Sequence, residues 1–203
     1  MLTSNGFYTD AIKEEFLKLL DGEPRELDVA IITTASPKKE NNRFAQKAKE
    51  DFREMGFKRI NFIDLEFDDP NRLSHKDVIY INGGNPFDLL FHTKNSGADQ
   101  ILKQLISKNV IIVGVSAGAV VLGPSIKVVH HFTPQMDTRN TRDFTAIGLT
   151  DIYVFPHYDR EDIFKDSSNK TIELRLKEFE LKEKCHVTRL KDDDTLIVEL
   201  PPK

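Results

Sequence analysis

Val110-Ile111-Ile112-Val113-Gly114-Val115-Ser116-Ala117-Gly118-Ala119 is the most β-branched run of the chain, and it passes directly into a serine flanked by glycines. Branching at Cβ restricts χ1 and favours extended backbone. The run is apolar at successive positions rather than at alternate ones, the pattern of a strand buried on both faces of a parallel sheet. Behind it, Gly114-Val115-Ser116-Ala117-Gly118 has the Gly-x-Ser-x-Gly spacing of a nucleophile elbow between a strand and a helix. Such a turn is tight enough that the flanking residues must be small, and it pushes the Ser116 hydroxyl out above the sheet edge. The amides of the helix that follows then point at the same space, and that of Ala117 is placed to hold a developing oxyanion. The bland alternative is a glycine-rich turn that packs closely or cradles a small anion without catalysis.

Working outward, Val29–Ile32, Arg59–Leu65 and Val78–Ile81 read as further strands. Helical faces lie between them: Ile12, Phe16, Leu19 and Leu20 behind an N-cap at Thr9 or Asp10; Phe44, Ala48, Phe52 and Met55 up to a stop at Gly56; Phe87–Phe91 after Pro86; and Ile101, Leu102, Leu105 and Ile106 up to Asn109. Strands alternating with helices at this spacing predict βαβ units around a parallel sheet. The second half is less regular. Ile126–Val129 and Ile152–Phe155 read as strands, Thr171–Lys184 as an amphipathic helix carrying Ile172, Leu176, Phe179 and, at the margin of that face, Leu174, and Val187–Leu190 with Leu196–Leu200 as a closing hairpin. No repeat, low-complexity tract or linker divides the chain, so a single domain over 1–203 is expected.

The 203 residues carry 29 Lys and Arg against 33 Asp and Glu, a net charge of −4 that argues against a nucleic-acid reader. A single cysteine, Cys185, excludes an internal disulfide framework and a multi-cysteine zinc site, and no histidine or carboxylate cluster has metal-ligand spacing. No metal and no cofactor are therefore expected. The opening Met1-Leu2-Thr3-Ser4-Asn5 lacks the basic and apolar segments of a signal peptide. The most apolar stretch, 110–123, falls short of the roughly 20 residues of a membrane span. A cytoplasmic protein without membrane or nucleic-acid partners, monomeric or homodimeric, is the expectation.

Two more segments converge on Ser116. Ile79-Tyr80-Ile81 runs into Asn82-Gly83-Gly84-Asn85-Pro86-Phe87, where backbone free of side chains can approach a ligand, and the N–H of Gly84 or Asn85 could supply the second oxyanion donor. Both glycine-rich turns follow strands, at the edge where open parallel sheets hold their ligands. A serine needs a base. His75 and His92 lie in polar, exposed-looking contexts, His186 begins a strand, and of adjacent His130 and His131 at most one can face the edge. His157 follows the apolar run 152–156 and so also sits just past a strand end, which makes it the candidate base. For the acid that orients it, Asp192, Asp193, Asp194, Asp137, Asp159 and Glu173 all remain open. An α/β-hydrolase esterase ranks last, because its order is Ser, acid, His over a longer chain, whereas His157 follows Ser116 by only 41 residues.

Gly83-Gly84-Asn85-Pro86-Phe87-Asp88-Leu89-Leu90, then Gly114-Val115-Ser116-Ala117-Gly118-Ala119, then Phe155-Pro156-His157-Tyr158 together resemble the aspartyl dipeptidase and cyanophycinase family of serine peptidases, and the likeness covers nearly the whole chain. The resemblance implies a three-layer α/β/α sandwich around a mostly parallel sheet, like the flavodoxin-like fold of class I glutamine amidotransferases, which carry cysteine at the same elbow. It also implies hydrolysis of a small peptide substrate by a Ser116–His157 pair. The family's acid follows a leucine and one spacer, which maps to Leu190-Lys191-Asp192. An alternative position about fifteen residues after the serine lands on His131, with Asp137 only nearby, so the resemblance favours Asp192 as the acid of the triad. Aspartyl dipeptidases carry a Thr-Arg-Glu stretch whose arginine suits a substrate aspartate. Here that stretch maps to Thr171-Ile172-Glu173, and an apolar side chain cannot clamp a carboxylate. Asp-X dipeptides are thus expected to be poor substrates, Ile172→Arg is expected to improve them, and Arg160, Lys165 and Arg175 are the cations able to take over the clamp.

Overall fold

Alternation along the strands explains the architecture. The computed structural model describes residues 1–165 and 169–199. Among these, the elements run in the order β1 (Leu2–Thr3), α1 (Asp10–Leu17), β2 (Asp28–Ile32), α2 (Arg43–Glu54), β3 (Arg59–Ile63), β4 (Val78–Ile81), α3 (Pro86–Asn95), α4 (Ala98–Leu105), β5 (Ile111–Val115), α5 (Ala117–Leu122), α6 (Lys127–Phe132), β6 (Tyr153–Phe155), α7 (Ile172–Glu183), β7 (Val187–Arg189) and β8 (Thr195–Leu196). Six strands form one sheet in the order β3-β2-β4-β5-β1-β8, parallel except where β8 pairs antiparallel with β1. Successive side chains of a strand point to opposite faces. Val29, Ile31, Val78, Tyr80, Val113 and Val115 accordingly pack with Phe7, Ile12, Phe16 and Phe52 on the α1–α2 side. Ala30, Ile32, Ile79 and Ile81 pack on the other side with residues of α3 to α7. The result is the expected α/β/α sandwich. Val29–Ile32 and Val78–Ile81 are buried on both faces, all 4% exposed or less. Val110–Ile112, by contrast, are only half-buried, and edge strand β3 alternates between exposed and half-buried residues up to Ile63. Full burial thus holds for the inner strands β2 and β4 and not for every strand read that way.

The N-cap at Thr9 accepts the Ile12 amide, and α1 ends at Leu17, short of Leu19 and Leu20. Gly56 stops α2 in the left-handed region at φ 95°, which favours glycine. Phe44, read as a core position of that helix, is 51% exposed; the buried stripe is instead Ala45, Ala48, Asp51 and Phe52, and Asn42 caps the helix by accepting the Phe44 amide.

Two expectations for the second half are overturned. Ile126–Val129 is not a strand but the entry into α6: the Ser125 hydroxyl accepts the Lys127 amide, and Ile126 and Val128 are buried. A run this short carries no period to tell buried helix from buried strand. The closing hairpin does not form either. β7 pairs parallel with β6 in a separate two-stranded sheet, while β8 crosses to β1. Backbone demand at the β1 edge, and not the local turn, decides where β8 goes. Leu200, the expected end of that hairpin, lies outside the described residues.

The β6–β7 pair is fastened to α7 by Arg189, which donates to Glu180 (Nη2–Oε2 3.0 Å) and to Glu173 (3.1 Å). Hydrogen bonding to Arg189 holds the Glu180 carboxyl down at about 2, from an ordinary 4.5, against the opposing effect of burial. A depressed carboxylate stabilises the fold above its unfolded value, and that contribution disappears as pH falls from about 4.5 towards 2. Glu180→Gln should therefore destabilise the protein by about 2–3 kcal/mol at pH 7. In urea melts, its deficit relative to wild type should shrink steadily below pH 4.5, and a deficit independent of pH would contradict this assignment.

Candidate active site

The site lies at the carboxyl ends of β4 and β5 of the main sheet and of β6 of the separate two-stranded one. Ser116 follows β5 at φ 51° and ψ −112°, a backbone conformation that a side-chain-bearing residue adopts only under strain. The flanking glycines show what enforces it. A Cβ on Gly118 would sit 2.2 Å from the Ile81 carbonyl oxygen, and one on Gly114 would lie 2.8 Å from the Gly118 carbonyl oxygen. The sharp elbow is thus built from steric necessity, with Ser116 half-buried at its tip and α5 starting at the next residue.

His157 follows β6 by two residues, at φ 58°. Its Nε2 is 2.9 Å from Ser116 Oγ and its Nδ1 is 2.5 Å from Asp192 Oδ1. The strand register explains the alignment. Phe155 lies opposite Arg189 in the parallel β6–β7 pair, the Leu190 amide donates to the Phe155 carbonyl, and the Tyr158 amide donates to that of Leu190. These bonds bring the loop after β7 level with the loop after β6, so Asp192 meets the imidazole. The imidazole side chain is 21% exposed and the Asp192 side chain 13%, which strengthens the contacts through a lowered effective dielectric.

The other candidate acids are engaged elsewhere. Asp137 caps its own loop by accepting from the amide and hydroxyl of Thr141, Asp194 accepts the Lys191 amide, and Glu173 binds Arg189 and the Tyr158 hydroxyl. Asp193 is exposed, and Asp159 accepts the Asp192 amide, steadying the loop that presents the acid. His131 packs against Phe132 and Phe179, and burial lowers its pKa. His92, expected to be exposed, has a side chain only 12% exposed and bonds to Arg139.

One site residue, Ser4, escaped the sequence reading, and another, Arg160, was read for a different role, as a cation for the substrate clamp. Arg160 donates to the second oxygen of Asp192 (Nη1–Oδ2 3.2 Å) while gripping Asp162 with Nε and Nη2, both at 2.9 Å. The Ser4 hydroxyl donates to the Leu190 carbonyl and accepts the His157 amide, tying the loops of histidine and acid to the end of β1. Nothing in a lone serine or arginine announces such a role; only the β1–β5 pairing puts residue 4 beside residue 116.

Of the donors expected to hold an oxyanion, Ala117 and Gly84 both line a cavity shared with Ser116 and His157, and neither amide has a protein acceptor among the described residues. Gly84 stands at φ 145°, where a Cβ would lie 2.3 Å from the Ala35 carbonyl oxygen, so no other residue fits. Asn85 is corrected. Its amide donates to Ala35 O at 2.7 Å, and its side chain caps α3 and reaches Met136 O, so it builds the loop and offers no free main-chain donor.

Two cavities meet at Ser116 and His157. One, of about 230 Å³, is walled by Val120, Val129, Phe132, Met136, Phe155 and Phe164, with no Lys, Arg, Asp or Glu in its lining among the described residues. The other, of about 650 Å³, opens on the α1–α2 side. Ile172 lines neither; it is 0% exposed, at the start of α7. Arg175 donates to the carbonyls of Phe164 (2.8 Å) and Phe132 (3.3 Å) and stacks 4.0 Å from the Phe132 ring, behind the apolar cavity and not in its lining. Among the described residues no group of three His, Cys, Asp or Glu side chains is placed to hold a metal, and no helix is long and apolar enough to cross a membrane.

A family model, peptidase family S51, matches residues 1–199. An uncharacterised peptidase of Pasteurella multocida is 31% identical over 158 residues, covering 75% of this chain and 76% of its own. An uncharacterised peptidase of Listeria monocytogenes is 28% identical over 178 residues, covering 83% and 84%. The crystal structure of a Listeria monocytogenes protein described as a candidate peptidase E superposes with a TM-score of 0.72 at 24% identity, over 94% of this chain and 89% of that one, a likeness of fold.

Proposed function

As a member of peptidase family S51 the chain is a serine-type peptidase, and from that premise we propose that Ser116, His157 and Asp192 are its catalytic triad and that it hydrolyses short peptides with an apolar residue beside the scissile bond. The observation that carries this reading is the unbroken hydrogen-bonded line from Ser116 Oγ through the imidazole to Asp192. Ser116 Oγ attacks the scissile carbonyl as His157 Nε2 takes its proton. Asp192 fixes the ring tautomer and stabilises the imidazolium, with Arg160 holding the other carboxylate oxygen in place. The Ala117 and Gly84 amides receive the oxyanion. His157 then protonates the leaving amine, and water releases the acyl group by the same steps in reverse.

The apolar cavity supports the substrate preference. A substrate aspartate placed there would lose its hydration without gaining a cation, because Arg175 lies behind Phe132 and Arg160 is bound to Asp162 and Asp192. Leu-X peptides should be cleaved at least tenfold faster, in kcat/KM, than Asp-X peptides of the same length. A dipeptide and tripeptide panel checks this, and a preference for Asp-X of more than tenfold would show that another cation reaches the substrate. A fluorophosphonate probe should label the wild type at Ser116, located by peptide mass mapping. No labelling, with no hydrolysis, would favour a non-catalytic anion-binding module of the same fold.

A further inference from the structure

The larger cavity contains a buried polar group that the triad does not use. Asn82 continues β4 by donating its amide to Ile32 O, and its side chain falls on the same face as that of Tyr80, two residues before it. This is the α1–α2 side, and both residues line the 650 Å³ cavity together with Ser116 and His157. Asn82 is 2% exposed, and its buried Nδ2 has no hydrogen-bond partner among the described residues. Leaving a buried carboxamide unpaired costs folding free energy, and such groups in native proteins call for an explanation. A carboxamide offers one acceptor and two donors, and a half-turn about χ2 exchanges their positions between nearly isosteric atoms.

We propose that the Asn82 carboxamide pairs with the C=O and N–H of a second peptide group of the substrate, so that the preferred substrates are tripeptides or longer. The inference rests on the peptidase reading and names its substrate length. Three observations favour a neutral peptide group over a charged chain terminus. Both lysines lining the cavity are already paired, Lys13 with Asp51 at 3.0 Å and Lys47 with the same carboxylate, and the remaining charged residue, Asp10, is turned to solvent at the rim. At about 650 Å³ the cavity lies within the roughly 300–1,000 Å³ of ordinary small-ligand sites and is larger than the 230 Å³ apolar one beside it. Its lining also includes two aromatic side chains with much of their surface in solvent, Tyr8 at 60% and Phe44 at 51%, placed to flank a chain that extends beyond the scissile bond.

The test compares Leu-Ala with Ala-Leu-Ala and Leu-Ala-Ala, following cleavage of the Leu–Ala bond by mass spectrometry. In the wild type, one of the two tripeptides should exceed the dipeptide at least tenfold in kcat/KM. In Asn82→Ala, which removes an unpaired buried group and so should fold, that gain should fall below threefold. Tyr8→Ala and Phe44→Ala, at exposed positions, should raise KM for the favoured tripeptide more than for Leu-Ala. A dipeptide cleaved as well as both tripeptides would overturn the inference, as would a length preference unchanged in all three variants. Hydrolysis of none of the peptides, together with no phosphonate labelling of Ser116, would instead remove the peptidase reading, and the inference with it.

Discussion

Replacing Ser116 by alanine should lower kcat for the best peptide by roughly 10⁴- to 10⁶-fold, while circular dichroism and melting temperature stay close to wild type. The hydroxyl is at the tip of a turn whose shape is set by contacts of Gly114 and Gly118, so its removal leaves the elbow standing. Asp192→Asn should cost roughly 10³- to 10⁴-fold in kcat with little change in KM, because the amide forces the wrong imidazole tautomer without displacing the ring. The two losses should not add: once the nucleophile is gone, orienting its base accelerates nothing, and the double variant should match Ser116→Ala within a few-fold. Steady-state kinetics on the Leu-X peptides reads all three. A fall of less than tenfold in Asp192→Asn would move the acid's role to another group.

Ile172→Arg should destabilise the protein by about 3–5 kcal/mol, the scale of an unpaired buried charge, and lower its melting temperature by roughly 6–20 °C. The sequence expectation was the opposite in spirit: that arginine there would restore a clamp for substrate aspartate. The structure places Ile172 in the first turn of α7, fully buried, its amide bound by Glu161 and its side chain in the core with Leu176 and Phe179. An arginine at this position has no line to either cavity. Asp-X hydrolysis should therefore show no gain, and thermal denaturation with a parallel Asp-X assay checks both halves. A stable variant with improved Asp-X cleavage would show that α7 can shift to open its first turn onto the site.

The strand-to-helix passage at 110–119, the glycine pair at 83–84 and the histidine after 152–156 were legible because each rests on short-range chemistry. Branched apolar residues, a tight turn that tolerates only small neighbours and a strand end all act within a few residues, and the parallel β4–β5 pair brings the two glycine turns together. β6 arrives from a separate two-stranded sheet, which no local pattern announced. The same locality explains the misreadings. Ile126–Val129 was too short to carry a period, Phe44 had the spacing of a core face and lies at the helix start where solvent reaches it, and 187–200 had a turn-like aspartate run that proposes a hairpin. Asn85 read as an amide donor because its loop is glycine-rich, yet Ala35, fifty residues earlier, takes that amide.

By itself the sequence determined the layer architecture, the elbow and the residue types of the pair on it, since these follow from propensity, hydrophobic pattern and steric size. The residue pattern left several acids open, with a family resemblance favouring Asp192; the tertiary structure shows which of them reaches His157, what bonds to it, and which side chains line the cavities beside it. The physical reason is that these depend on pairings between distant segments. The Phe155–Arg189 register sets Asp192 against the imidazole, the β1–β5 register carries Ser4 to the loops of both, packing of α7 turns Ile172 inward, and the β4 pleat puts Asn82 on the α1–α2 face beside the larger cavity.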